Sequence, residues 1–325
     1  MSPAAANPVP APALSGGVLT VGNFDGVHLG HQRMLEQLVA LARELGTRAV
    51  AVTFDPPPLA ILAPDRVPPQ LTTTSQKVDL IRGMGVDEVI VYPASRELLS
   101  LTAEQFFEEV LVRQLGCLGL VEGPNFRFGK GRGGDVALLR QMCSQRQMPI
   151  RIVEACESEG TMVSSSEVRI AIGQGDVARA RSLLGRPYSI SGTVVHGAER
   201  GRLLGFPTAN LDGIETLLPP PGVYAGRSLV EGIPYPVALN IGPNPTFGED
   251  RLKVEAHLIG FSGDLYGRVV TIEFLDRLRG VVKFPDVEAL RTQLQHDIAA
   301  ATHRAANGSE ELEFRLSPAP AQAKA

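Results

Sequence analysis

The chain has 325 residues, of which 44% are hydrophobic and 20% charged, and its formal net charge is −4. This length and composition favour two folded domains, and no apolar run is long enough to cross a bilayer. The small negative charge provides no electrostatic basis for binding nucleic acid. We therefore expect neither nucleic acid nor a membrane among its partners.

The termini and the cysteines indicate the compartment. Residues 1–17 are rich in Ala and Pro but lack the basic and apolar regions of a secretory signal, so we predict a disordered leader. Residues 305–325 are poor in core-forming residues and are predicted as a disordered tail. Three cysteines without C-x-x-C spacing are typical of free thiols in a reducing compartment: Cys117, Cys143 and Cys156. We predict a cytoplasmic protein.

Residues 18–186 alternate between strand-like and helix-like patterns. Short apolar runs predict the strands Val18–Val21, Ala49–Phe54, Glu88–Tyr92, Leu118–Glu122 and Ile150–Ala155. Amphipathic periodicity predicts the intervening helices Gln32–Leu45, Ser75–Gly83, Ala103–Leu115 and Val136–Gln145. The alternation favours an α/β domain whose parallel sheet is covered by helices on both faces. Because ligands of such sheets bind beyond the carboxyl ends of the strands, the turns there are the candidate site.

The first of these turns, Gly22–His31, links a strand to a helix. His28 and His31 are three residues apart, so they lie on roughly the same face at the start of the helix. A helix N-terminus presents unpaired N–H groups and a positive dipole end, which favour phosphate. Two imidazoles beside it can donate further hydrogen bonds. The alternative is that the histidines only cap the helix.

A second segment suited to phosphate is Ser164–Arg169. The hydroxyls of Ser164, Ser165 and Ser166 precede a helical run, and Arg169 follows one turn later, so a hydroxyl and a guanidinium can share one phosphate. The alternative is a simple helix cap. Asn125, in the turn after the fourth predicted strand, either orients a substrate group or stabilises its turn.

Residues 187–304 have a different pattern. Short β-branched segments separated by Gly and Pro predict an antiparallel barrel or sandwich from Tyr188–Val195, Gly222–Arg227, Tyr235–Ile241, Leu252–Ile259 and Gly267–Phe274. A last helix is predicted from Asp286, as its cap, to Ala301. The boundary near Arg186–Pro187 separates the two predicted domains.

The second predicted domain contains a loop rich in glycine and arginine, followed by Thr208 and Asn210. Its backbone N–H groups can wrap a diphosphate, and Thr208 and Asn210 supply neutral oxygen ligands for Mg²⁺. The alternative is an ordinary loop between strands. Glu255 alternates with apolar residues in its strand, which normally directs a side chain to solvent. If it instead lines the barrel mouth, it is a candidate base.

These motifs resemble those of the bifunctional prokaryotic riboflavin kinase/FMN adenylyltransferase family, known as FAD synthetases, over nearly the whole predicted folded length. The resemblance lies in Gly22–His31, Thr53–Pro56, Gly123–Gly129, Ser164–Arg169, Gly201–Leu211, Asn240–Gly242, Pro245–Phe247, Val254–Leu258 and Asp264–Gly267. The string from Gly201 to Leu211 is the most specific of them.

The resemblance implies two activities. A Rossmann-like N-terminal nucleotidyltransferase domain, residues 18–186, would join FMN to the AMP part of ATP and release pyrophosphate. His28 and His31 would contact the ATP phosphates in a site for ATP and FMN that also includes Gly22, Phe24, Asp25, Gly26, Asn125, Ser164, Ser165, Ser166 and Arg169. A C-terminal barrel domain with a terminal helix, residues 187–304, would phosphorylate riboflavin to FMN.

In that barrel domain the resemblance implies a nucleotide site at Gly201, Gly205, Thr208 and Asn210. Thr208 and Asn210 would hold Mg²⁺ with the nucleotide, and Glu255 would be the catalytic base toward the riboflavin 5′-hydroxyl. The expected partners are therefore riboflavin, FMN and ATP, with FAD as a product. We expect a monomer or a weak homo-oligomer.

The chain departs from the family pattern at two positions. The family usually has His where this chain has Pro57, and proline lacks both the imidazole and a backbone donor. Val281 stands where Glu is common. One alternative is therefore a riboflavin kinase whose first domain is impaired in adenylylation. Another is a flavin-binding or flavin-delivery protein without catalysis.

Overall fold

The computed structural model describes residues 16–158, 160–197, 201, 205–244 and 249–316. Its internal contacts divide the chain into two compact units, Met1–Ser164 and Ser165–Ala325. The helical segment 165–184, which the sequence prediction assigns to the first domain, is grouped with the second unit. All three cysteines are buried and free.

The first unit contains a parallel sheet of five strands in the order β3-β2-β1-β4-β5. The strands are β1 (Gly17–Val21), β2 (Arg48–Asp55), β3 (Glu88–Pro93), β4 (Cys117–Glu122) and β5 (Ile150–Ile152). The order reverses between β1 and β4, which creates a crevice at the carboxyl ends of these two strands. A short hairpin of β6 (Glu157–Ser158) and β7 (Thr161–Met162) was not predicted, because two-residue strands show no periodicity.

Helices connect these strands as the sequence pattern predicts. They are α1 (Leu29–Glu44), α2 (Pro58–Leu62), α3 (Thr74–Gly83), α4 (Arg96–Ser100), α5 (Ala103–Gln105) and α6 (Val136–Gln145). A π-helix, Phe106–Gln114, continues α5. Helix α1 begins three residues before the predicted start, since His28 serves as its N-cap.

The helices cover both faces of the sheet. Adjacent residues of β1 enter different cores: Val18 packs with Leu35 and Leu38 of α1, whereas Leu19 packs with Phe107. This follows from the two-residue period of a strand. Each fully buried side chain of this size contributes about 1.5–3 kcal/mol. The predicted α/β fold of this region is therefore confirmed.

The second unit is built on a closed antiparallel barrel in the order β10-β11-β12-β9-β8-β13. Its strands are β8 (Ser189–Val195), β9 (Ala209–Asp212), β10 (Gly222–Val230), β11 (Ile233–Asn244), β12 (Glu249–Leu258) and β13 (Val269–Arg279). Two helices precede the barrel, α7 (Ser165–Gln174) and α8 (Val177–Leu184), and α8 contacts β13. The barrel prediction is confirmed, and the sandwich alternative is excluded.

The last helix, α9 (Val287–Leu316), packs against β10, β11 and β13. Asp286 accepts a hydrogen bond from the Ala289 N–H (2.8 Å), as expected of its predicted capping role. The helix continues past the predicted end at Ala301 into the segment predicted as a disordered tail. That segment is rich in helix-forming Ala, Glu and Leu, and its first proline is Pro318.

Candidate functional site

The turn after β1 is held in a strained conformation. Phe24 and Val27, both buried, have positive φ angles of 47° and 39°. Residues other than glycine rarely have a positive φ angle, and each one costs about 1–3 kcal/mol of backbone strain. Gly26 (φ 80°) carries no such cost. Strain of this kind persists only where the surroundings over-determine it, and it concentrates at functional sites.

Asp25 anchors the turn to the segment that precedes α3. Its buried carboxylate accepts hydrogen bonds from the backbone N–H groups of Leu71 (3.0 Å) and Thr72 (3.1 Å). The Thr72 hydroxyl donates to the same carboxylate and accepts from the N–H of Gly26 (3.1 Å). Through these contacts Asp25 positions the histidine-bearing turn against the segment that precedes α3.

His28 and His31 lie together at the N-terminus of α1. His28 Nδ1 accepts a hydrogen bond from the His31 backbone N–H (3.3 Å), so a proton on the neutral ring of His28 must reside on Nε2. The two rings stack with centroids 3.7 Å apart, and the edge of His31 meets the ring of Phe24 at 5.2 Å. His28 therefore caps the helix through Nδ1, and Nε2 carries the proton of its neutral ring.

His31 is kept neutral by its surroundings. Its Nδ1 is buried and has no hydrogen-bond partner among the described residues. Burial is the largest of three causes that lower the pKa of His31 well below its usual value. Electrostatic interaction with His28 and then with Lys77 lowers it further. At neutral pH His31 thus carries no imidazolium charge and interacts through its ring N–H group.

Lys77 is a buried charged residue near this turn that sequence reasoning does not single out. It is only 3% exposed on α3 and lies within electrostatic reach of His31, Asp25 and Asp55. Burial lowers the pKa of Lys77, while the two carboxylates oppose that change. The sequence does contain an indication that Lys77 is buried, because it lies four residues before the apolar Ile81 and therefore on the same face of the helix.

Glu122 holds the carboxyl end of β1 from the neighbouring strand. It is 1% exposed, and its carboxyl accepts a hydrogen bond from the Val21 N–H (2.8 Å). Burial raises the pKa of Glu122 well above its usual value, which that hydrogen bond opposes. Glu122 therefore secures the crevice between β1 and β4, directly before the histidine-bearing turn.

Glu122→Gln is expected to make the stability of the protein less dependent on pH. Because the pKa of Glu122 is raised on folding, the folded state binds more protons than the unfolded chain above the usual value of 4.5. The stability that this group contributes is complete below that value and is lost as pH rises through the raised pKa. Gln retains the acceptor for Val21 and carries no charge. Melting temperatures measured from about pH 5 to about pH 9 should fall less in the variant than in wild type.

The matched control is Glu36→Gln, at an exposed position of α1. Its melting profile should follow that of wild type across the same pH range. Parallel profiles for wild type and Glu122→Gln would contradict the prediction.

Asn125 lies in the turn after β4, as predicted, and lines a cavity of about 360 Å³. The cavity is bounded by that turn and by the start of α6, and its lining residues are Pro124, Asn125, Phe126, Arg127, Arg132, Asp135, Val136 and Ala137. His28 and His31 are not among them. The turn therefore presents Asn125 to a space of its own at the carboxyl end of β4.

The predicted Ser-Arg segment begins the second unit. Ser164 precedes α7, Ser165 and Ser166 form its first residues, and Arg169 lies one turn on. The spacing is thus as predicted within this helix. Their sharing of one ATP site with His28 and His31 stays a prediction.

The predicted kinase residues meet on the outer face of the barrel. In β12 the buried residues are Val254, Ala256 and Leu258, so Glu255 points away from the barrel core. The strand register places Glu255 directly opposite Asn210 of β9 and Asn240 of β11. The three side chains form a polar row across adjacent strands, and all three are half-buried rather than fully exposed.

The loop before β9 lies against this row. A Cβ added at Gly197 would be 2.1 Å from the Asn210 side-chain nitrogen, and one at Gly201 would be 3.2 Å from Thr208 Oγ1. These glycines therefore allow the loop to approach Asn210 and Thr208 closely. The Phe206 N–H donates to the Gly201 carbonyl (2.8 Å). His257 Nδ1 lies 2.7 Å from the Pro207 carbonyl and ties the loop to β12.

The donor set here fits Mg²⁺. Thr208 and Asn210 present neutral oxygens beside the Glu255 carboxylate, and hard divalent cations prefer oxygen ligands. Mg²⁺ typically uses few protein ligands and completes its shell with water and substrate phosphates. Among the described residues, no group of three or more His, Cys, Asp or Glu side chains could hold a metal on its own. Of the family motifs, Pro245–Phe247 lies outside the described residues.

Known proteins match both units. The FAD synthetase family model matches residues 11–167, and the riboflavin kinase family model matches residues 184–305. A bifunctional riboflavin kinase/FMN adenylyltransferase of Escherichia coli (strain K12) is 38% identical over 283 residues, which are 87% of this chain and 90% of that protein. One of Pseudomonas fluorescens is 38% identical over 296 residues, 91% of this chain and 95% of that protein.

A solved structure has the same fold. The crystal structure described as a macrolide-efflux protein from Streptococcus pneumoniae has a TM-score of 0.79 and 30% sequence identity, covering 89% of this chain and 94% of that one. No helix in the described part of the chain combines the length and apolarity needed to span a membrane. With both family models matched in order, the chain belongs to the bifunctional riboflavin kinase/FMN adenylyltransferase family.

Proposed function

We propose that this protein phosphorylates riboflavin to FMN with ATP and then adenylylates FMN to FAD with release of pyrophosphate. The observation that carries the proposal is the match of both family models to a chain with two separately built polar sites. One site is the histidine-bearing turn of the first unit, and the other is the Asn240–Glu255–Asn210 row of the second.

For adenylyl transfer the chain supplies alignment and charge stabilisation. The nucleophile, an FMN phosphate oxygen, is already anionic at neutral pH, so it needs no base. His28 offers its Nε2 proton beside the N-terminus of α1, and the neutral His31 stacks against it. These preorganised donors stabilise the charge on the ATP phosphates as the bond to the α-phosphorus forms. Asn125, Ser164–Ser166 and Arg169 are proposed to complete the ATP and FMN site, as the family resemblance implies.

For riboflavin phosphorylation the nucleophile is a hydroxyl, which is weak unless its proton is accepted. Glu255 is the proposed base, since its half-buried carboxylate lies beside Asn210 and Asn240. The loop containing Gly201 and Gly205 is proposed to hold the nucleotide, with Thr208 and Asn210 as ligands of Mg²⁺. When bound, that ion would neutralise charge on the transferred phosphoryl group.

The proposal is tested by incubating the purified chain with riboflavin, ATP and Mg²⁺ and separating the flavins by chromatography. FMN and FAD together support the two-step function. FMN alone supports the alternative in which Pro57, which precedes α2 without a side-chain capping bond, has impaired the first domain. Unchanged riboflavin supports a flavin-binding protein without catalysis.

Compartment and assembly are further parts of the proposal. We infer a cytoplasmic enzyme that binds no nucleic acid, because the net charge is −4 and the three cysteines are free. It is proposed to act as a monomer or a weak homo-oligomer. Light scattering of the purified chain at several concentrations measures the assembly state directly.

A further inference from the structure

Two polar side chains lie at the histidine-bearing turn, one on α3, whose preceding residues Leu71 and Thr72 are bonded to that turn, and one on α1. The first is Lys77, whose side chain is only 3% exposed; its ammonium donates no hydrogen bond to the described residues and keeps some contact with solvent. The second is His31, whose Nδ1 is buried and unpartnered within the described structure. An unpaired buried nitrogen such as His31 Nδ1 is costly, which indicates that a ligand completes it, and the largely buried ammonium of Lys77 has donors to offer the same ligand.

The surrounding carboxylates do not complete them. Asp25 is occupied by the N–H groups of Leu71 and Thr72 and by the Thr72 hydroxyl. Asp55 accepts a hydrogen bond from the Thr74 hydroxyl (2.9 Å). Both carboxylates act on Lys77 through space and favour its charged form. Lys77 is thus held as a cation whose donors remain available.

The complementary group is an anion with several oxygens. A phosphate can accept from an ammonium and from an imidazole N–H at once, and the N-terminus of α1 adds its positive dipole end beside them. A lysine ammonium suits this task because it is a compact point charge with three rotatable donors. Of the proposed substrates of the first unit, both ATP and FMN carry such a group. The polyphosphate of ATP is the one whose negative charge grows during the reaction, as pyrophosphate leaves, and an ammonium stabilises that charge.

We propose that Lys77 is a catalytic residue of adenylyl transfer, which binds the β- and γ-phosphates of ATP and stabilises the departing pyrophosphate. This inference rests on the proposed adenylyltransferase function. In the step, an FMN phosphate oxygen bonds to the α-phosphorus and the bond from that phosphorus to the bridging oxygen breaks. The electron pair stays on the bridging oxygen, so negative charge accumulates on pyrophosphate beside the Lys77 ammonium. No proton transfer is required.

The test compares Lys77→Met with wild type in the full-length chain. Methionine has a similar length and removes only the charge and donors. We expect kcat for FAD formation from FMN and ATP to fall about 100-fold or more, while riboflavin phosphorylation by the same preparation stays within about twofold. Lys283→Met, at an exposed position of the second unit, makes the same change in net charge and should leave both rates unaltered.

Two further readouts separate catalysis from a structural role. Inhibition of FAD formation by inorganic pyrophosphate should weaken at least tenfold in Lys77→Met, with the KM for FMN unchanged. The melting temperature without ligand should equal or exceed that of wild type, because an unpaired buried cation has been removed. Pyrophosphate should raise the melting temperature of wild type and not that of the variant.

Several results would overturn the inference. A kcat and pyrophosphate inhibition within twofold of wild type would show that Lys77 does not contact the phosphates. A variant that loses its cooperative unfolding transition would show that Lys77 supports the fold instead. If wild type itself makes no FAD from FMN and ATP, the proposed adenylyltransferase function is wrong. If wild type makes FAD and Lys77→Met makes it at the same rate, only the proposed role of Lys77 is wrong.

Discussion

Glu255→Gln is expected to abolish formation of FMN from riboflavin while leaving formation of FAD from added FMN at the wild-type rate. Glu255 lies on the outer barrel face between Asn210 and Asn240, and the substitution preserves its shape while removing its basicity. General base catalysis contributes about 10²–10⁴-fold, so the loss in kcat should fall in that range. Because the adenylyl-transfer nucleophile is already anionic, the second reaction has no use for this base. Chromatographic assays of the two steps, each started with its own flavin, measure both rates.

The control for this variant is Glu231→Gln. Glu231 lies between β10 and β11, where it is exposed and paired with Arg268. The Glu231→Gln variant should therefore catalyse both reactions at wild-type rates. Equal loss of both activities in Glu255→Gln would count against separate sites. A kcat for FMN formation that does not change would remove Glu255 as the base.

His28→Ala is expected to suppress FAD formation about 100-fold or more without affecting FMN formation. The ring of His28 provides the Nε2 donor at the N-terminus of α1, where the ATP phosphates are proposed to bind. The same change removes a helix cap and costs about 1 kcal/mol of stability. FAD formation from FMN and ATP, the kinase rate and the melting temperature are measured on the same preparation.

The two roles of His28 are separated by His28→Asn. Asparagine caps a helix well, because its side-chain oxygen can accept from the His31 N–H as Nδ1 does. It lacks the reach of an imidazole Nε2. We therefore expect the melting temperature to return toward that of wild type while FAD formation stays low. A normal FAD yield from either variant would exclude His28 from the mechanism.

Much of the fold follows from local patterns in the chain. The apolar run Val18–Val21 predicts a strand, and the periodicity after His31 predicts a helix; each pattern depends on neighbouring residues only. Both elements occur, with ends that differ by up to three residues from the prediction. The predicted terminal helix is too short, because low apolar content favours disorder in the prediction although residues 305–316 contain no proline. The antiparallel β structure of the second unit also follows from local segments, but those segments fit a barrel or a sandwich, and strand pairing decides for the closed barrel.

The candidate sites were predicted less completely. The histidines of the turn and the residues Thr208, Asn210 and Glu255 were identifiable from motif spacing. Lys77 was not, because its burial depends on the packing of α3. The structure adds for Asp25 the contacts with Leu71 and Thr72 that anchor the turn, while its place in the ATP and FMN site stays a prediction.

The sequence by itself determined the two-domain order, the α/β and barrel classes, the family resemblance and the residue types available for chemistry. These depend on periodicity and spacing, which are properties of neighbouring residues. Only the tertiary structure decided that Glu255 faces outward between Asn210 and Asn240, and that Lys77 is buried beside His31. Strand register and helix packing bring together residues far apart in the chain, and burial then changes their pKa values and their need for partners. The chemistry of both sites depends on those long-range contacts.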